Sequence, residues 1–186
     1  MMRWCVLALP ALLLCSACKV QHLVSITSEP VQLSTPKGKE KRGRKLTFES
    51  TLQRPTAEVW KQVSTPKSAL NSMKPQAILK PLKRQALPMA WQPDSTYAFK
   101  LVMNGLFPYG KHYLSYEQLN HEKRSFQTRE HGRSVPVWDH HLQVVPVSDS
   151  SCTLHEELVI RAGWINWYVA MYARGLFKAK HQRLAK

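Results

Sequence analysis

From Lys45 to the C-terminus, apolar and polar positions follow regular periods, and the elements can be read from them. Lys45 to Gln53 alternates: Leu46, Phe48 and Leu52 fall on one parity and Thr47, Glu49 and Thr51 on the other, as in a strand with one buried face. Arg54-Pro55-Thr56 opens a helix, because proline suits the first turn, and Ala57, Val59, Trp60 and Val63 give it an apolar side. Thr65-Pro66 restarts a second short helix through Met73, and Pro75 stops it. Gln76 to Leu82 is expected as a short strand, and Lys83 to Asp94 as a loop. Strands are then predicted at Thr96 to Met103, Tyr109 to Leu119, Lys123 to His131, Val135 to Val147 and Cys152 to Ile160. Asn104-Gly105, Asn120-His121, Gly132 and Ser148-Asp149-Ser150-Ser151 supply the turns between them. Ala162-Gly163 opens a long helix to about Leu184, in which Trp164, Trp167, Tyr168, Met171, Tyr172 and Leu176 recur at helical spacing. The order is strand, two short helices, an antiparallel run, one long helix. An antiparallel sheet cannot leave its apolar face in water, and only the final helix is long enough to cover it. The expected class is therefore α+β, with a curved antiparallel sheet around a long C-terminal helix and a gap between them suited to a cavity.

The first 44 residues read differently. Met1 to Trp4 carries one charge, Arg3; Cys5 to Leu14 is apolar throughout; small residues follow at Ser16-Ala17. This is the pattern of a secretory leader over residues 1–17, and its apolar run is too short to span a bilayer. Ser16-Ala17-Cys18 resembles a bacterial lipobox, although Cys15 stands where leucine is usual. The resemblance implies lipid on Cys18, and Lys19 rather than Asp after it implies the periplasmic face of the outer membrane. With Cys5 and Cys15 lost in the leader, Cys152 would remain as a lone cysteine, more often a small buried hydrophobe than a reactive group. Residues 18–44 are expected as a flexible tether, with Pro30, Pro36 and a basic run of Lys37, Lys39, Lys41, Arg42, Arg44 and Lys45. Such a run either attracts anionic headgroups or merely solvates a spacer, and Val20 to Val31 has room for a short strand. Residues 45–186 would form the ligand-binding domain.

The chain of 186 residues carries a formal net charge of +15. That excess favours anionic partners, and an export signal makes a membrane surface a better match than nucleic acid. A monomer is expected.

Arg54-Pro55-Thr56-Ala57-Glu58-Val59-Trp60 looks like the first helix of a known superfamily. Phe107-Pro108-Tyr109-Gly110-Lys111-His112, Gln127-Thr128-Arg129-Glu130, Trp138-Asp139-His140 and Ile160-Arg161-Ala162-Gly163-Trp164 look like a bacterial branch of it, with Lys180-His181-Gln182-Arg183 at the end. Together, in order, they resemble the START-like, polyketide-cyclase-like (SRPBCC) superfamily of helix-grip domains. The resemblance covers Lys45 to Lys186 and implies a hydrophobic ligand cavity.

Strand parity gives candidate cavity residues: Phe99, Leu101, Leu114, Tyr116, Trp138, Leu142, Leu158 and Ile160, with Trp164, Trp167, Tyr168, Met171 and Tyr172 from the helix. The same parity points His112, His140 and Glu156 inward. The turn at Ser148 to Ser151 brings His140 and Glu156 onto adjacent strands, within diagonal reach. They would then bond each other, or hold the polar head of a ligand. His140 oriented by Glu156 is the best available arrangement for acid–base catalysis, in a cyclase- or hydrolase-like reaction. No G-x-S-x-G, H-E-x-x-H or phosphate-binding glycine loop accompanies it. No cofactor or metal is expected, because His112, His140 and Glu156 lack tight ligand spacing and the neighbours His140 and His141 point to opposite faces. Three functions fit: a hydrophobic-ligand carrier, an enzyme using His140, or an envelope interaction protein whose interior is only core.

Overall fold

The structure is a computed structural model that describes residues 23–34, 38–82 and 86–186. The leader, Cys18 and Lys19 lie outside the described residues. Eight strands form one antiparallel sheet: β1 (Ser25–Ser34), β2 (Glu40–Leu52), β3 (Ala77–Pro81), β4 (Thr96–Met103), β5 (Phe107–Asn120), β6 (Ser125–Gly132), β7 (Val137–Ser148) and β8 (Ser151–Arg161). Their order across the sheet is β1-β2-β8-β7-β6-β5-β4-β3. Two short helices, α1 (Thr56–Ser64) and α2 (Pro66–Ser72), separate β2 from β3, and α3 (Asn166–Leu184) closes the chain after a 3-10 turn at Gly163–Ile165. This is the expected α+β helix-grip arrangement.

Bulges bend the sheet. Register shifts fall at Leu101/Val102 between β4 and β5, at Tyr116/Gln118 between β5 and β6, and at Pro146/Ser148 between β7 and β8. At the first of these, Gly110 stands opposite Leu101 with φ 111°, a conformation that a side chain resists.

The N-terminal boundary is corrected. Ser25–Ser34 and Glu40–Arg44, expected within the tether, are sheet: β1 pairs along its whole length with β2, from Ser25 opposite Glu49 to Ser34 opposite Glu40. The physical reason is that an edge strand needs only one apolar face. Ile26 is half-buried against the core, and Pro30 is tolerated because edge strands need not donate on both sides. Gly43 of β2 lies between β1 and β8 with no room for a side chain. A Cβ there would lie 2.7 Å from Leu33 Cδ1 and 2.8 Å from the Ile160 carbonyl oxygen. Because the second contact is backbone, Gly43→Ala is expected to cost about 1–3 kcal/mol by overpacking. Denaturant unfolding reads this as a lowered midpoint, and an unshifted midpoint would contradict the packing described.

Helix α3 lies over the β2–β8 side of the sheet. Leu46, Phe48, Leu158 and Ile160 from the strands are buried against Val169, Ala170, Ala173, Leu176 and Phe177. The two alanines let the helix backbone come close, and Phe48 stacks on Phe177 with ring centroids 4.9 Å apart. A second cluster joins Leu52, α1 (Val59, Trp60, Val63) and Leu142, Val144 and Leu154 at the other end. The helix is thus seated on one half of a curved sheet, and the other half, β4 to β7, faces it across a gap.

Candidate ligand cavity

That gap is a cavity of ≈ 120 Å³. Its walls are Leu101, Leu114, Tyr116, Phe126 and Trp138 from the sheet, Leu70, Met73 and Ala77 from the α2–β3 segment, and Tyr168, Val169, Tyr172, Leu176 and Phe177 from α3. Half-buried Met103 and Tyr109 and exposed Tyr168 mark the mouth. Polar groups enter along one line: His112, Thr128, Glu130, His140 and Lys180.

Of the residues expected from strand parity and helical spacing, Leu101, His112, Leu114, Tyr116, Trp138, His140, Tyr168 and Tyr172 line this space. Leu142, Leu158 and Ile160 point to the correct face but are packed solid. Phe99 is likewise buried, beside the Ala86–Pro88 segment. Parity finds the inner face, and only the seat of α3 decides which part of that face stays open. Trp164, Trp167 and Met171 are corrected outright: they are exposed, because the buried stripe of α3 runs through Val169, Ala173, Leu176, Phe177, Lys180 and Leu184 instead.

Glu156 stands just behind the wall and organises it. Its Oε2 is 3.1 Å from His140 Nε2, and its Oε1 accepts from Lys180 Nζ at 2.7 Å. His181 Nε2 lies 3.7 Å from the same Oε1, too far for a hydrogen bond, and has no other partner among the described residues. His181 Nδ1 and the Ser50 hydroxyl share a hydrogen bond of 2.7 Å. Burial alone would push the Glu156 carboxyl up; the Lys180 ammonium and the His140 hydrogen bond outweigh it and hold the group well below the usual carboxylate range. A second pair was missed from sequence. Glu130 Oε2 is 2.7 Å from His112 Nε2, and its Oε1 accepts from Thr128 Oγ1 at 2.8 Å. Here too burial pushes upward and the His112 contact prevails, so Glu130 is held low. The missed signal was the alternation Phe126, Thr128, Glu130 on β6, which faces the same way as His140 on β7.

Ionised carboxylates only accept hydrogen bonds, so the facing Nε2 of His112 and of His140 is the donor in each pair. The cavity wall therefore carries two imidazoles, each hydrogen-bonded to a carboxylate, and the Lys180 ammonium. The His140 ring stands edge-on to Phe126 and Phe177, which fixes its plane. Burial also raises Tyr116 well above the ordinary tyrosine value and Tyr172 to about 12, so both stay protonated phenols. The metal set weighed from sequence is not assembled, since His112 bonds Glu130 and not Glu156. Another residue overlooked was Trp91, which reaches in from the loop and stacks on Tyr116 at 5.0 Å. A lone tryptophan in a proline-rich loop was its only signal.

Burial lowers His181 to about 4, from an ordinary value of 6.5. A depressed folded value means that protonation favours the unfolded chain. The contribution, about 3 kcal/mol, is complete above pH 6.5 and is lost as pH falls toward 4. Glu156 and Glu130, also depressed, add a further loss at lower pH. Urea unfolding from pH 7 to pH 4.5 should show stability falling with acidity, and His181→Leu should flatten the upper part of that slope; a parent curve level across this range would contradict the burial of a neutral His181.

The family model described as "Domain of unknown function (DUF8410)" matches residues 50–186. The chain belongs to the DUF8410 family. A search of the curated proteins found no match. Among solved structures, this DUF8410 chain is similar to norcoclaurine synthase from Thalictrum flavum in complex with dopamine and hydroxybenzaldehyde, at 13% identity and a TM-score of 0.53, covering 99% of this chain and 95% of that one. Protein Ms6760 from Mycobacterium smegmatis matches at 11% identity and a TM-score of 0.55, over 87% and 95% of the two chains. A START superfamily protein from Mycobacterium smegmatis matches at 12% and 0.52, over 75% and 96%. These likenesses show the fold alone, and the fold is START-like. The DUF8410 model begins within β2, so β1 and the start of β2 lie outside it.

Proposed function

We propose that this chain is a membrane-anchored envelope protein that binds or carries a hydrophobic small molecule in its internal cavity. The observation that carries this reading is the cavity itself, apolar-walled with a polar line on one side. Cavities of about 150 Å³ lined by apolar side chains hold a molecule the size of benzene. A space of ≈ 120 Å³ therefore suits one ring or a short acyl segment, and a longer guest would extend through the mouth between Met103, Tyr109 and Tyr168. The polar line favours a guest with a polar group near one end, because His112, Thr128 and His140 line the cavity there. The START-like neighbours support this reading through the shared fold. The anchoring part is supported by the leader pattern and the Ser16-Ala17-Cys18 motif, with Lys19 favouring the outer membrane.

A fluorescent apolar probe such as N-phenyl-1-naphthylamine should bind the full chain, with emission rising in proportion to protein. Leu114→Trp, which fills the cavity from β5, should abolish the rise while circular dichroism stays unchanged. Equal probe uptake by both proteins would refute the cavity as the binding place.

The His140–Glu156 pair supports a second reading, in which the cavity performs acid–base chemistry on its guest. In that case His140→Ala abolishes turnover and leaves affinity largely intact; loss of affinity without any turnover in the parent would return the pair to a binding role.

A further inference from the structure

Large apolar side chains remain exposed at the start of α3 and in the turn before it, beside Tyr168 of the cavity lining. Trp164 is 89% exposed, Trp167 65% and Met171 56%, and with Tyr168 at the rim they follow i, i+3, i+4, i+7 along one stripe. On the β4–β5 turn, Leu106 and Phe107 are exposed by 78% and 65%. The two elements are joined through Gln76, whose carbonyl accepts from both the Tyr172 hydroxyl of α3 and the Asn104 amide of the β4–β5 turn. A patch of this kind is unusual on a soluble surface and marks an interaction site. Tryptophan and tyrosine prefer the boundary between headgroups and acyl chains.

Charge distinguishes the occupants. Residues 158–186 contain no Asp or Glu, and neither do residues 95–116, whereas Arg174, Lys178, Lys100 and Lys111 are exposed on the same elements. A second copy would bring two such basic faces together, which is unfavourable. An anionic bilayer meets both features at once.

We propose that this face docks on an anionic phospholipid bilayer, with Trp164, Trp167 and Met171 at the headgroup boundary and the cavity mouth turned toward the lipid. The docking requires neither a guest in the cavity nor lipid on Cys18, so it stands or falls apart from the ligand reading.

The test uses the full chain in a Trp4→Phe background, which silences the leader, and vesicles of phosphatidylethanolamine and phosphatidylglycerol with brominated acyl chains. Two of the five remaining tryptophans lie on the patch, so emission should fall by up to about two fifths. The fall should vanish in Trp164→Phe/Trp167→Phe and should be much smaller with phosphatidylcholine vesicles. A chain that floats with the anionic vesicles but keeps its emission overturns the proposal, as does quenching that persists in the double variant. So would equal quenching by neutral vesicles, failure to float, or a lipid-free dimer that shields these tryptophans from iodide.

Discussion

Glu156→Gln is expected to lower the unfolding free energy by about 3–5 kcal/mol at neutral pH, the usual cost of removing one partner from a buried ion pair. The side chain is fully buried, and it neutralises Lys180, which is itself buried. The amide keeps the shape and a hydrogen bond but leaves an ammonium without its counter-charge. That loss is a large share of a typical domain stability of about 5–15 kcal/mol. Glu156→Leu combined with Lys180→Met removes both charges and should recover much of the deficit, since a buried pair is often no more stable than an apolar replacement. Chemical denaturation of the parent, each single variant and the pair checks this. If Glu156→Gln costs less than about 1 kcal/mol, the typical net worth of one ordinary hydrogen bond, the charge cluster is not holding β8 to α3.

Phe48→Ala should cost about 3–5 kcal/mol. Phe48 is fully buried in β2 and stacks on Phe177, which is also a wall of the cavity. Truncation opens a void between sheet and helix, and the helix can settle only by moving toward the strand. The cavity then changes shape, so probe affinity should fall along with stability. Thermal unfolding and probe titration on the same sample measure the two effects. Full stability in Phe48→Ala would mean that α3 is held elsewhere.

The fold was legible because its strands alternate cleanly and only one long helix was available to cover them. The His140–Glu156 contact was legible for the same reason: parity fixed the face, and the turn between Ser148 and Ser151 fixed the partner strand. Lys180 and His181 were not. At the C-terminal end of a helix, basic residues ordinarily sit in water near the dipole, and the sequence offers no sign that Glu156 draws Lys180 inward. The aromatic stripe leading into α3 misled in the opposite direction, because Trp164 and Trp167 carry more apolar surface than Ala170 and Ala173, which are the residues that touch the sheet. Helical spacing says that a stripe exists, and contact with a neighbour decides which stripe is buried. β1 was legible only as room for a short strand over Val20 to Val31, because an edge strand with Pro30 and few apolar residues resembles a linker until β2 is beside it.

Native mass spectrometry of the protein purified in mild detergent or none tests the central claim most directly. The parent should carry an additional apolar species that leaves on mild activation, and Leu114→Trp, folded as judged by circular dichroism, should appear at its bare mass. A parent found only at bare mass that also fails to take up an added apolar probe would show that the space beneath α3 is not a binding site.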